Sequence, residues 1–506
     1  MRNWARLSGS TALAIFMTGS AAFADVTAVQ VWTDFKSYLE GFGYRVTGDE
    51  RASGGTVSVS GMVMSMDMPD EGGHVSVTMD NVTFTETGDG RVRVSMSDRM
   101  PIAFTVIPPE GGEEVAGSID YTQSGFDMVV SGDVDDMLYT YSAGQIGLAL
   151  SSLIVEGEPI EIGQAVMTMS DVAGTSTMSG TGLRTVGQTV TTGKLDYTLD
   201  MTNPEDPDGR IFMTGGLAGL EMTGSISLPS DVDMNDMAAA LRAGFAMDGN
   251  YAHSGGFSEF EMSGKGDHIE GNTTSDSGAL TIRMNNDQME YSGEANGVVM
   301  NYAGDQIPLP VSVEMARAGF RLLMPVGQSE EPVDFAFGLT LADVAASDMI
   351  WAMLAPTGQL PRDPATVEID LTGKARMTQD LMDPQAMAMA AGDPPGEIHA
   401  LTVRTLTLAI AGARLTGNGD FTFDNDDTTT FPGMPKPTGA LDLELPGGNA
   451  LLDTLVAMGM LPQDQAMAAR MMLGLFARPG AGPDSLTSQI EVTEDGQVLA
   501  NGQRLR

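Results

Sequence analysis

The stretch "HVSVTMDNVTFTETGDGRVRVSMS", His74 to Ser97, carries the reading of the whole chain. Val75, Val77 and Met79 alternate with polar residues, Asp80-Asn81 interrupts, and Val82 and Phe84 resume before Gly88-Asp89-Gly90 turns the chain into Val92, Val94 and Met96. A period of two sends successive side chains to opposite faces of a strand, and a glycine-rich turn between two such runs is hairpin chemistry. The pattern recurs at Glu290 to Tyr302, where Asn296-Gly297 separates two alternating arms, and at Ile490 to Leu499 around Asp495-Gly496. So much alternation predicts a mainly β protein, with one or two large twisted antiparallel sheets curled around an apolar interior and a few short helices at the ends and between sheet segments.

Just upstream, "GTVSVSGMVMSMDMP" (Gly55 to Pro69) places Met62, Met64, Met66 and Met68 at every second position. By simple alternation Val57 and Val59 lie on one face and the methionines on the other, with Gly61 at the crossover, which predicts a bulge there. Thioethers at this spacing suit Cu(I). The chain holds 38 methionines, however, and they recur at inward positions such as Met79, Met96, Met167, Met169 and Met300, so the ladder reads as core written in methionine.

Helices are expected at five places. Thr27-Ala28-Val29-Gln30 has the capping-box form, Val31, Phe35, Leu39 and Phe42 share one face, and Gly41 stands where a helix ends. The others run from about Met234 to Ala243, Ser347 to Ala355, Asn449 to Met458 and Pro462 to Ala477. The strings "GQLPRD" (Gly358 to Asp363) and "GMLPQD" (Gly459 to Asp464) read as helix stops.

The first residues, "MRNWARLSGSTALAIFMTGSAAFADV", set Arg2 and Arg6 before an apolar run and end in Ala22-Phe23-Ala24. That order is a secretory signal, so cleavage after Ala24 and a soluble periplasmic protein are expected. The expected division is a signal at 1–24, a helix and β-rich half at 25–225 and a β-rich half with helices at 226–506, or one continuous domain over 25–506. "NPEDPDGR" (Asn203 to Arg210), "GDPPGE" (Gly392 to Glu397) and "FPGMPKP" (Phe431 to Pro437) are the punctuation. No later apolar run approaches the ~20 residues of a spanning helix. Aromatic residues are only 6%, too few for the girdles of a membrane barrel.

With no cysteine, disulfides, thiolate nucleophiles and cysteine metal sites are excluded. A formal charge of −42 and only five scattered lysines (Lys36, Lys194, Lys265, Lys374, Lys436) repel phosphate backbones, so no nucleic-acid partner is expected.

A search for chemistry assigns no catalytic, cofactor or metal residue, and the chain is read as not an enzyme. His74, His253, His268 and His399 lack the spacing of a zinc site. "GTGLRTVGQTVTTGKL" (Gly180 to Leu195) fails as a phosphate loop. Gly187 is one residue too far from Gly193-Lys194, and Leu195 replaces the magnesium-binding hydroxyl. "DVDD" (Asp133 to Asp136) and "DNDD" (Asp424 to Asp427) lack the glycine and distant glutamate of a calcium loop and read as turns.

The two ends, "DVTAVQVWTDFKSYLEGFGYRV" and "GNALLDTLVAMGMLPQDQAMAARMMLGLF" with the terminal "EVTEDGQVLANGQRL", resemble the domain of unknown function 2125 family of Gram-negative envelope proteins. The resemblance implies periplasmic residence and a β-rich body, and brings no functional residues with it. From the architecture, the leading functional expectation is a lipid or other apolar ligand held in a curled-sheet groove lined by methionine. The competing expectation is a structural or interaction protein of the cell envelope with a sealed core and another envelope protein as partner. Cu(I) binding and hydrolysis rank below both.

Overall fold

The computed structural model describes residues 25–67, 73–108, 112–180, 182–203, 206–230, 232–234, 236–355, 358–383, 385, 388 and 394–506. The expected signal segment and Met68 lie outside the described residues.

Alternation has done what it predicts. The described strands form one 28-stranded sheet in which every pairing is antiparallel. Its plan is a meander of lanes, each lane filled by one long strand or by two shorter ones end to end. Strand Thr56–Asp67 pairs along its first half with Val82–Glu86 and along its second half with His74–Met79, so those two strands share a lane. Asp136–Val155, Ile162–Ser179, Leu183–Asn203 and Asp206–Pro229 follow as full-length lanes, and the meander continues to Ser485–Val492 and two short final strands. Residue 225 lies inside strand Asp206–Pro229, whose pairing runs past it on both sides.

Among the described residues no ladder joins the first strand to the last, so the sheet has two edges. The first edge, Arg45–Ser53, reads RVTGDERAS and exposes every residue but Val46, which is how a free edge is kept from recruiting other chains.

Gly61 sits at a left-handed φ of 58°, and the facing strand shifts register between Thr47 and Asp49. The bulge is present, and it corrects the expectation that the valines and methionines face opposite ways. Val57, Val59 and Met62 are buried in one cluster, Met62 being 1% exposed, with Met64 and Met79 packed against it. A bulge inserts one residue and so restores the apolar series to the same face.

The left-handed residue, though not the register shift at Thr47, repeats down the sheet. Asp171 (φ 52°), Gly219 (φ 56°), Gly297 (φ 59°) and Asp343 (φ 53°) occupy the corresponding position in later lanes, and at each the apolar series changes parity. Tyr139, Tyr141 and Ala143 give way to Ile146, Leu148 and Leu150; Tyr291 and Gly293 give way to Val298 and Met300. Asn296-Gly297 is therefore not a hairpin turn. Strand Gln288–Gly304 runs straight through it, and the left-handed residue is used to bend a strand instead of reversing it. Left-handed residues aligned in this way mark a crease line across the strands, and the apolar side along it is called the trough.

Five helices stand among the described residues. Helix α1 (Ala28–Gly41) begins at a capping box in which the Thr27 hydroxyl accepts from Gln30 N at 3.3 Å and Gln30 Oε1 accepts from Thr27 N at 2.9 Å. Helix α2 (Met237–Arg242) starts later than its apolar spacing suggests, because Asp236 caps it by accepting from Ala239 N at 2.9 Å. Helices α3 (Asp348–Leu354), α4 (Gly448–Ala457) and α5 (Gln463–Phe476) lie where the sequence places them. Gly459 (φ 73°) follows directly on the end of α4, whereas α3 already ends at Leu354, four residues before Gly358 (φ 67°).

Candidate functional site

Register decides which side chains share a face. Starting at Val57, directly opposed residues run Phe84, Val94, Met128, Tyr141, Gly174, Val190 and Met222. The same row continues through Tyr251, Leu280, Gly293, Phe320, Leu339, Ile369, Leu406, Gly417 and Leu443. It contains no charged residue. A parallel row reads Met137, Met178, Val186, Ile226, Met247, Met284, Met289 and Met324. The intervening positions, such as Thr189, Thr223, Asn250, Thr281, Ser292 and Arg321, are polar and turn to the other side.

Glycines keep the apolar face low. A Cβ at Gly174 would lie 2.6 Å from the Tyr141 ring, and one at Gly293 would lie 2.7 Å from Phe320 Cε1. Each aromatic side chain thus reclines across a neighbouring glycine.

At the N-terminal end the face is covered. Val31 and Trp32 of α1 pack on Val57, Phe84, Val92, Val130 and Met137, and each such fully buried apolar side chain contributes roughly 1.5–3 kcal/mol. Helix α2 adds Ala240 and Leu241 to a second cluster with Leu228, Phe245 and Tyr38. The cover is tied down by Asp34 of α1, which forms an ion pair with Arg184 of strand Leu183–Asn203, while the Arg184 guanidinium lies 5.9 Å from the Tyr38 ring centre. Burial lifts the Asp34 carboxyl above its ordinary value, and the Arg184 charge pulls against that lift. Burial, and then the Asp34 charge, push the Tyr139 hydroxyl well up.

Past α1 the face opens. A cavity of about 360 Å³ begins under Tyr38 and is lined by Val190, Met222, Met247, Tyr251, Leu280 and Ile282 together with the polar Gln188, Asp248 and Asn250. Further along, Tyr291 (42% exposed), Leu322 (39%) and Phe337 (44%) stand opposed to one another on the apolar side, with Phe320 beside them. The trough is thus sealed at one end and bare in the middle. The last helix is bare too: Met467, Met471 and Leu475, spaced by four along α5, are exposed, Met471 by 68%.

The polar elements raised by the sequence do not converge. His74 lies 2.9 Å from Asp67, His268 lies 3.5 Å from Glu261 and His399 lies 3.7 Å from Glu397, while His253 sits beside Tyr251 on another lane. No group of three or more histidine and carboxylate side chains placed to hold a metal occurs among the described residues. Gly187 and Gly193 lie within strand Leu183–Asn203. Asp133 closes a turn by accepting from Asp135 N and Asp136 N at 3.0 and 3.1 Å. Asp427 accepts from the backbone and hydroxyls of Thr429 and Thr430, which hold its carboxyl far below the usual range.

The family described as an uncharacterized protein conserved in bacteria, DUF2125, matches over residues 257–505. The match takes in just under half of the chain. The DUF2125 region takes in the open middle of the trough, helices α3 to α5 and the C-terminal segments that resemble the family. The covering helix α1 and the N-terminal segment compared with the family lie before it. No curated protein and no solved structure matches the chain. Among the described residues no helix is long and apolar enough to cross a membrane.

Proposed function

We propose that this protein holds an apolar, lipid-like ligand in the trough, and that it does so in the periplasm after removal of residues 1–24. The observation that carries the reading is the exposed cluster of Tyr291, Phe320, Leu322 and Phe337 on a face whose central row carries no charged residue from lane to lane. Water is a poor solvent for such a surface, and contiguous bare apolar patches of this kind mark binding sites. A pure scaffold would close the whole face as α1 closes its first lanes. Methionine suits the task because its unbranched thioether chain adapts to irregular apolar shapes. The reading involves no catalysis.

The test compares neighbouring positions on opposite faces. Tyr291→Asp puts a carboxylate in the trough, whereas Ser292→Asp puts the same charge on the polar side, beside Arg321. Binding of phosphatidylcholine bearing a fluorescent acyl chain is expected to drop at least tenfold in the first variant and to stay at the wild-type level in the second. Equal binding in both variants contradicts the proposal.

A second reading draws on α5. Its exposed Met467, Met471 and Leu475 favour a docking face for another envelope protein, one that accompanies the ligand site and does not replace it.

A further inference from the structure

We propose that the trough is a continuous track for several acyl chains lying end to end across the strands, and not a single pocket for one ligand. This rests on the apolar-ligand reading above and adds a dimension to it. Adjacent strands are about 4.8 Å apart, so the part of the row that α1 leaves open, from Val190 to Leu443, runs on the order of 50 Å. Two leaflets of acyl chains fill a hydrocarbon core of ~30 Å, about 15 Å for each chain. The row is several chains long.

Its uniformity argues for the same occupant. A folded protein partner would need polar groups at intervals to satisfy its own polar side chains, and beyond the Tyr141 and Tyr251 hydroxyls the row offers none. A polymethylene chain is uniform along its length and demands nothing but unbroken apolar contact. The reclining rings of Tyr141 and Phe320 leave no wall across the path. The crease runs in the same direction as the row, so the long axis of the trough and that of the chain coincide. With 68 acidic against 26 basic residues, the protein repels anionic headgroups, which makes the cargo a lipid with a neutral or zwitterionic head.

The absence of cysteine makes the test clean. Single variants Met222→Cys, Phe320→Cys and Leu443→Cys, with Ser292→Cys as the polar-face control, are labelled with a fluorophore in the full chain. Phosphatidylcholine carrying a nitroxide on one acyl chain is added below its aggregation limit, and native mass spectrometry counts the lipids bound. The track predicts quenching at Met222, Phe320 and Leu443, none at Ser292, and more than one lipid per chain at saturation. Quenching confined to Met222, with one lipid per chain, overturns the track and leaves a single-site carrier. No quenching at any site and no bound lipid overturns the carrier reading itself.

Discussion

Gly293 lies directly opposite Phe320, and the phenyl ring occupies the space that a side chain at Gly293 would need: a Cβ there would meet ring carbons at 2.7 and 3.1 Å. The floor of the trough is therefore set by pairs of residues and not by aromatic residues alone. Gly293→Ala should push the ring upright into the trough, at a cost of about 1 kcal/mol of overpacking. It should also weaken acyl-chain binding more than it weakens folding. Adding Phe320→Leu should recover the binding, since the smaller side chain no longer stands on the new methyl group. A double variant that binds no better than Gly293→Ala would show that the two positions act independently.

Gly61 isolates the backbone requirement of the crease, because nothing lies within 4 Å of where its Cβ would be. Any cost of substitution there is conformational. Gly61→Val should destabilise by about 1–2 kcal/mol, while Gly61→Asn should cost clearly less, since asparagine tolerates the left-handed region. Urea midpoints compare the two variants. Equal losses would mean that the crease does not depend on left-handed geometry.

Asp34 and Arg184 make a pH-dependent clasp between α1 and the sheet. Because the folded protein raises the Asp34 pKa, the native state binds its proton more tightly than the unfolded chain does. The stability contributed by that group is present at low pH and declines as pH rises from the ordinary carboxylate value through the raised one. Wild type minus Asp34→Asn, measured by urea unfolding between about pH 3 and about pH 7, should fall across that window. A difference that rises with pH contradicts the assignment. Arg184→Met leaves the carboxylate shielded and unpaired, and should cost about 3 kcal/mol near neutral pH.

The methionine ladder is tested by volume-conserving exchange. Met64 stands opposite Val77 and Met66 opposite Val75, both half-buried on the apolar face. Met64→Leu with Met66→Leu should cost about 1 kcal/mol or less at each site and leave the metal content unchanged. Stoichiometric Cu(I) that vanishes in the double variant would make the ladder a metal site.

Much of this fold is written locally. Thr27 with Gln30 announces the start of α1, and the alternation from Val75 to Met96 gives three strands and their turn. Gly61 marks its own bulge. What the same letters do not carry is how a left-handed residue is used. Asn296-Gly297 has the chemistry of a tight turn, and only the strands on either side, Ser277–Met284 and Ile307–Pro325, keep the chain going straight on. The site is legible in its composition, as an apolar face rich in methionine. Its continuity is not, because it depends on many successive strand pairings, from Val57 to Leu443, all keeping the same register phase. The Asp34–Arg184 clasp joins residues 150 positions apart, and neither has a neighbour in sequence that points to the other.

The most direct test of an open, lipid-filled trough is native mass spectrometry of the full protein purified from cells without detergent, followed by solvent extraction of whatever travels with it. Co-purifying neutral or zwitterionic lipid is expected, retained in Ser292→Asp and lost from Tyr291→Asp while both variants stay folded. Wild-type protein that flies at its bare mass, yields no extractable lipid and takes up no phosphatidylcholine when it is offered would contradict it.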